Sequence, residues 1–266
     1  MSRQLRHTRG IFEHIFRDRF GDPLDLSGLV LEAHPPTRIV LAQRVWQERL
    51  RTEFRSVQIM TRFLAEVLGA GDPLEVYGAA LDLVEDEIRH VGLCAQLVQA
   101  LGAEPLLPDP VELRDPPRYL EQPMMHRALT TAIQMLAINE TISVAFIEDL
   151  HARCTDPAVR QVLGATCEDE EGHEELGWTY VKTSLARFKP STRDSWRHLV
   201  ERSLAPHRSS AKKILDGLDP AQRDLEAHPE AELAALGLFS PVRQALVFEL
   251  VWREKLEPRL RALELL

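Results

Sequence analysis

The sequence predicts an all-α fold: four long helices joined as two antiparallel hairpins. Three observations predict it. Apolar residues recur at helical spacing through four segments of about 30 residues each, and no alternating strand pattern competes. Proline, aspartate and glycine stand at the segment ends as start and stop signals. Between Gly102 and the third segment lie Pro105, Pro108, Pro110, Pro116, Pro117 and Pro123, which make that connection long and stiff rather than helical.

Residues 1–36 read as an arm carrying one short amphipathic stretch, IFEHIFRDRF. Pro35-Pro36-Thr37 opens the first helix, 37–68, which ends at Gly69-Ala70-Gly71. Asp72-Pro73 supplies an N-cap and a first-turn proline for the second helix, 73–101, closed by Gly102. The third helix spans 124–153. Asp156-Pro157 repeats the start signal for the fourth, 157–187. Short links make the first pair and the second pair antiparallel neighbours, and the proline-rich connection crosses from one end of the bundle to the other. Asp219-Pro220 and Ser240-Pro241 open further helical segments, so 188–266 is expected to be a helical extension packed on a bundle at 37–187.

The chain has 266 residues and is 44% hydrophobic, enough for one sizeable core or two small ones. Its net charge of −9 argues against general nucleic-acid binding. Neither a signal peptide nor an apolar run long enough to span a membrane is expected. Cys94, Cys154 and Cys167 form no CxxC and read as free thiols of a cytoplasmic protein. Dinucleotide, P-loop, nucleophile-elbow and zincin motifs are missing, which removes those enzyme classes.

What remains is a repeated pattern. The second helix carries Asp86-Glu87-x-x-His90 and the fourth carries Asp169-Glu170-x-x-His173. An i, i+3 pair on a helix points one way, so each Glu and His can reach a common centre. The first helix has an inward stripe through Trp46, Leu50, Val57, Met60 and Leu64, with Glu53 on it; Glu48 lies off that stripe. The third has Glu140 on the face of Ile133, Leu136, Ser143 and Ile147. The midpoint of Glu53 and Glu87 is residue 70, and that of Glu140 and Glu170 is residue 155. Both midpoints fall in the turns, so the four acids are expected at one height in two facing pairs. Four buried carboxylates would repel, at a desolvation cost of several kcal/mol each. Two divalent cations would remove both problems, and four Glu with two His suit iron or manganese. A ligating imidazole usually donates its other N–H to a carboxylate. By the pseudo-twofold symmetry, Asp86 is expected to hold His173, and Asp169 to hold His90. The plainer alternative is four charged helices with their acids on solvated faces, which one Glu-x-x-His alone would not displace.

The set Glu53, Asp86-Glu87-Ile88-Arg89-His90, Glu140, Asp169-Glu170-x-x-His173 resembles the ferritin-like superfamily of non-haem di-iron carboxylate proteins. The DEIRH form is most similar to bacterial multicomponent monooxygenases. The resemblance covers about residues 37–187. It implies a ferritin-like four-helix bundle, a centre of two irons (Mn/Fe or two manganese as variants) and O2 as co-substrate, with hydroxylation, N-oxidation or desaturation as outcomes. Cys94 stands where ribonucleotide reductase small subunits commonly keep a radical tyrosine, so the resemblance does not extend to that radical. A rubredoxin-type CxxC pair and the rubrerythrin Glu-x-x-Glu on the third helix are also missing.

The reading is therefore an O2-activating oxygenase acting on a small organic substrate, anionic or carrier-bound, with an external electron donor; a homodimer is compatible with it. The alternatives are a metal-handling or detoxifying protein (ferroxidase, peroxidase or manganese catalase) and a metal-free interaction bundle. The proline-rich connection and the C-terminal helices favour the first, because they can build a substrate pocket. Cys94, Thr166, Cys167 and Glu174 lie within about one turn of the ligand set and are candidate pocket-lining residues. Nine Lys/Arg between 182 and 213, against Asp194 and Glu201, form a basic stretch that reads as a solvated face or a site for an anionic partner.

Overall fold

Where the chain carries its stop and start residues, it turns. The computed structural model describes residues 3–109, 112–170 and 172–266, and it is mostly helical. The amphipathic stretch of the arm is α1 (Ile11–Phe20), and the first long pair is α2 (Pro36–Ala70) and α3 (Leu74–Ala100). Their C-termini close on glycines at positive φ, Gly71 at 70° and Gly102 at 80°. Beyond them, Asp72 N–H reaches Val67 O at 3.2 Å and Ala103 N–H reaches Val98 O at 3.0 Å, satisfying carbonyls the helix ends leave free. The third long helix, α4, runs Met124–Arg153. Asp156 then caps the next helix through its side chain, accepting from the N–H groups of Ala158 and Val159 at 3.0 Å each.

That next helix departs from expectation. In place of one helix over 157–187 there are two, α5 (Pro157–Asp169) and α6 (His173–Leu185). Gly172 caps α6 with φ 104°, a conformation side chains rarely adopt, and so it ends the uninterrupted helical path between Glu170 and His173. Asp72 also departs: its carboxylate does not cap α3 but accepts from Tyr180 OH at 2.8 Å and from Arg187, holding the α2–α3 turn to α6. The expectation of no strand meets a minimal exception, β1 (Arg3–Gln4) antiparallel to β2 (Leu106–Leu107), which ties the arm to the proline-rich connection. The expectation of no membrane-length apolar run is corrected by α4, which is long and apolar enough by length and composition. Of that window 56% is buried inside the fold, and Glu140 sits within the helix, as suits a core helix.

The hairpin of α2 and α3 packs against α4, α5 and α6, and the C-terminal helices α7 (Arg193–Leu215) and α8 (residues 241–262) pack on each other and on α4. Two apolar clusters form the interior. One contains Leu50, Leu97, Leu150 and Leu163; the other contains Met60, Leu83, Leu136 and Trp178. Along α2, α3 and the α5–α6 segment the chain passes from one cluster to the other through Glu53, through Glu87 and His90, and through Glu170 and His173.

The crossover is pinned rather than loose. Glu66 is fully buried, accepts from Thr131 Oγ1 at 2.9 Å and from Arg127 Nε at 3.2 Å, and is reached by the Tyr119 hydroxyl from the crossover. Burial and the bond to Glu66 push the Tyr119 phenol up to about 12. Arg62 closes the cluster by pairing with Asp115 and lying over the Tyr119 ring.

Helix α4 is widened to π geometry over Ala132–Asn139, immediately before Glu140. Such turns are rare and collect at functional sites. Gly177 of α6 lies against it, so closely that a methyl there would overlap the Leu136 carbonyl. Gly177→Ala is therefore expected to cost about 1–3 kcal/mol, because a backbone group cannot rotate aside as a side chain can. Urea unfolding of the two chains measures it; an unchanged midpoint would show that α6 shifts freely.

Candidate metal centre

Each of the six candidate side chains is delivered by an element whose neighbours are apolar. Glu87, His90, Glu140, Glu170 and His173 are all buried, none more than 7% exposed, and Glu53 is half-buried. Glu53, Glu87 and His90 place one ligand atom each within 4.8 Å of one another, a grouping that can hold a metal ion. Glu170 spans the two histidines: Oε2 lies 2.9 Å from His173 Nδ1 and Oε1 lies 3.6 Å from His90 Nδ1. Glu87 Oε2 is also 3.6 Å from His90 Nδ1. Glu140 lies in the electrostatic field of Glu170, Glu87, His173 and Glu53, and makes no hydrogen bond through its side chain among the described residues.

The two aspartates stand behind the opposite histidines. Asp86 Oδ2 is 2.8 Å from His173 Nε2, and Asp169 Oδ2 is 3.4 Å from His90 Nε2. Both rings thus turn Nδ1 toward glutamates and Nε2 toward an aspartate from the other hairpin. A neutral imidazole has one N–H and one lone pair. If Nε2–H faces the aspartate, the Nδ1 lone pair faces carboxylate oxygen, which is repulsive unless a cation stands between them or the ring takes a second proton.

The electrostatics of the protein alone favour added protons, on the rings and on the carboxyls alike. Burial alone would lower the His173 pKa, but its bonds to Asp86 and Glu170 outweigh that and lift it to about 10. For His90 burial again lowers, and Asp169 and Glu87 raise more, leaving it well above its ordinary value. The acids move the same way for the opposite reason. Burial, then the Glu87 charge, pushes Glu53 up to about 8; burial and neighbouring carboxylates raise Glu87 and Glu140. Protons are being held where positive charge is short. Glu87 Oε2, Asp169 Oδ2 and both His90 ring nitrogens are buried without a hydrogen-bond partner. Native interiors rarely leave such atoms unpaired, and four in one place mark a site built for something else. A set of carboxylate oxygens and imidazole nitrogens fits iron or manganese.

The remaining candidates lie around this centre without joining it. Cys94 is buried, and burial followed by the Glu53 charge raises its thiol well above the usual range. Burial lifts the half-buried Cys167 thiol to about 11. Thr166 Oγ1 donates to Val162 O at 3.1 Å, so its hydroxyl is spent within its own helix. Glu174 turns to the C-terminal helix, 3.0 Å from Lys255 Nζ and 2.9 Å from Arg259 Nη1. In the basic stretch, Arg187 pairs with Asp72, Arg197 with Asp194 at 2.8 Å and Lys212 with Asp216 at 2.6 Å.

Sequence reasoning missed Arg89, whose guanidinium donates to Asp169 behind His90. The signal was present, since Arg89 sits between Glu87 and His90 in the repeated motif, but the second copy has Gly172 at that position. Comparison with family models, with curated proteins and with solved structures finds no match to this chain.

Proposed function

We propose that the chain is an O2-activating non-haem oxygenase with a ferritin-like four-helix bundle at its centre, holding two divalent cations, iron in the first instance. The six side chains Glu53, Glu87, His90, Glu140, Glu170 and His173 would hold them, and Glu170 is the acid that faces both histidines. The observation that carries this reading is the crossed pairing: two buried histidines, each facing glutamate through Nδ1 and an aspartate of the other hairpin through Nε2. A solvated-face explanation of the acids does not account for it, because the groups are buried.

When bound and reduced, two irons would supply the oxidising power toward O2 that hydroxylation or N-oxidation needs. The chain's own part is separate. Asp86, 2.8 Å from His173 Nε2, fixes that ring and its proton, and Asp169 stands 3.4 Å behind His90 Nε2 to do the same once the ring is drawn to a cation. The apolar clusters on either side keep bulk water from the centre. Glu53, the most exposed of the six, is the ligand best placed to change position when substrate enters. An external donor would return the electrons.

Anaerobic Fe(II) titration of metal-free protein, followed by O2 at each point, tests this. The reading expects saturation at about two irons per chain and an optical change that stops there. Oxidation continuing far past that ratio would make the protein a ferroxidase. Failure to take up Fe(II) or Mn(II) would remove the metal centre altogether. Asp86→Asn is expected to keep the fold and to weaken metal binding about 10–100-fold, by releasing His173. Competition against a chelator of known affinity measures this, and unaltered affinity would leave Asp86 without that role.

A further inference from the structure

Helix α1 presents Ile11, Phe12, Ile15 and Phe16 on one side, and they remain 63%, 69%, 55% and 44% exposed. No residue of the helix is buried. Ten residues are too few to hold a helix in water without packing, so the stripe lacks the partner that would pay for it. The helix is instead held at its ends. β1 pairs with β2 before it, Arg19 pairs with Glu85 of α3, and Leu24 N–H donates to Gln96 Oε1 at 2.8 Å after it. Gly10 and Gly21, at φ 79° and 80°, flank it.

Beneath this strap is a cavity of about 660 Å³. Small-molecule sites run from roughly 300 to 1,000 Å³. Phe12 and Phe16 line it from above; Phe54, Val57 and Ile88 line it from α2 and α3. A Cβ at Gly92, also on its wall, would meet no atom within 4 Å. The charged groups of the wall are Arg6, Arg17 and Arg89 against Glu13 and Asp22. Arg17 answers both acids, at 2.8 Å and 3.4 Å, and Arg6 has no ion pair among the described residues. With Arg89 paired to Asp169, Arg6 is, among the described residues, the wall cation left unanswered beside an apolar floor, in a chain of net charge −9.

We propose that this cavity binds a small organic anion with an apolar body, the body lying against Phe12, Phe16 and Ile88 and the anionic group meeting Arg6. Resting on the oxygenase reading above, it holds the substrate beside the centre, next to Arg89. Among the described residues none of the six candidate ligands lines the cavity; Arg89 of its wall joins it to Asp169 behind His90.

Calorimetric titration of the full chain with decanoate and 4-phenylbutyrate, and with decylamine and 4-phenylbutylamine as cationic counterparts, tests it on metal-free and metal-loaded protein. Both anions are expected to bind one per chain in either state, with the amines at least about tenfold weaker. Gly92→Leu, whose Cβ meets open space on the cavity wall, is expected to abolish binding with its melting temperature kept, and Arg6→Glu to weaken it about tenfold. Absence of anion binding to folded protein, amines binding as well as acids, or a Gly92→Leu chain that binds unchanged would each overturn the proposal. So would loss of self-association or of vesicle binding in a Phe12→Ser/Phe16→Ser chain that still binds decanoate normally, since the stripe would then serve another copy or a lipid surface. Iron uptake is measured separately: a chain that loads two irons but no anion sinks the cavity alone, and one that binds the anion but no metal sinks the oxygenase reading alone.

Discussion

Glu140→Leu is expected to make the metal-free protein more stable and the metal-bound protein less so. Glu140 is 6% exposed, and burial followed by the charges of Glu170 and Glu87 raises its pKa well above the ordinary carboxylate value. A carboxyl whose pKa is higher folded than unfolded opposes folding at every pH above its unfolded value. Leucine of similar bulk removes that cost and adds apolar surface to a buried position. A gain of about 2 kcal/mol, a few degrees in melting temperature, is the expected scale. With metal at about a hundredfold over its dissociation constant, the parent gains about 2.7 kcal/mol by mass action and the variant gains none. The order of the two melting temperatures then reverses. Thermal unfolding of both chains with and without Fe(II) or Mn(II) reads this sign change. A variant less stable in both conditions would make Glu140 an ordinary structural acid.

Much of the centre's placement was legible because antiparallel hairpins obey simple arithmetic. Residues equidistant from a turn face each other, so the turn near residue 70 brings Glu53 to the level of Glu87, and the structure has both close to His90. The doubled Asp-Glu-x-x-His carried the crossed Asp–His contacts in the same way. Two things were not legible. A helical wheel assumes one continuous helix, and Gly172 in the second copy breaks it; the same glycine could equally have marked close packing, as Gly177 does. The π turn at 132–139 has no compositional mark, since Ala-Ile-Gln-Met-Leu-Ala-Ile-Asn would sit as well in an ordinary helix. It lies packed against α6, a contact that periodicity does not report. The cavity under α1 was hidden for a related reason: a stripe of Ile and Phe in the arm looks like core until the structure shows nothing beneath it.

The C-terminal extension hangs on one buried arginine, and Arg243→Met is expected to cost about 3–5 kcal/mol. Arg243 starts the last long helix, where Ser240 Oγ caps its own N–H at 3.1 Å. Its guanidinium forks onto Asp149 of α4, Nε to Oδ2 at 3.0 Å and Nη2 to Oδ1 at 2.6 Å. Its Nη1 donates to the carbonyls of Leu225 and His228 at 2.8 Å and 2.7 Å, so one side chain joins three segments. Arg153 is the second partner of Asp149, at 2.6 Å, and it keeps the loss nearer the lower end of the range by leaving the carboxylate partly answered. Burial alone would raise the Asp149 pKa, but the bonds from Arg243 and Arg153 outweigh it and hold it below its ordinary value. The linkage follows in sign: the pair's contribution is present in full above the unfolded aspartate's pKa and is lost as pH falls through the lower folded value. Parent and variant should therefore differ most from pH 5 upward and converge in acid. Urea unfolding across that range checks both statements. Because α4 also carries Glu140 and the π turn, loosening α8 should reach the centre, and the variant is expected to release metal to a chelator faster than the parent at a temperature where both remain folded. Equal release rates would confine the effect of Arg243 to docking the extension.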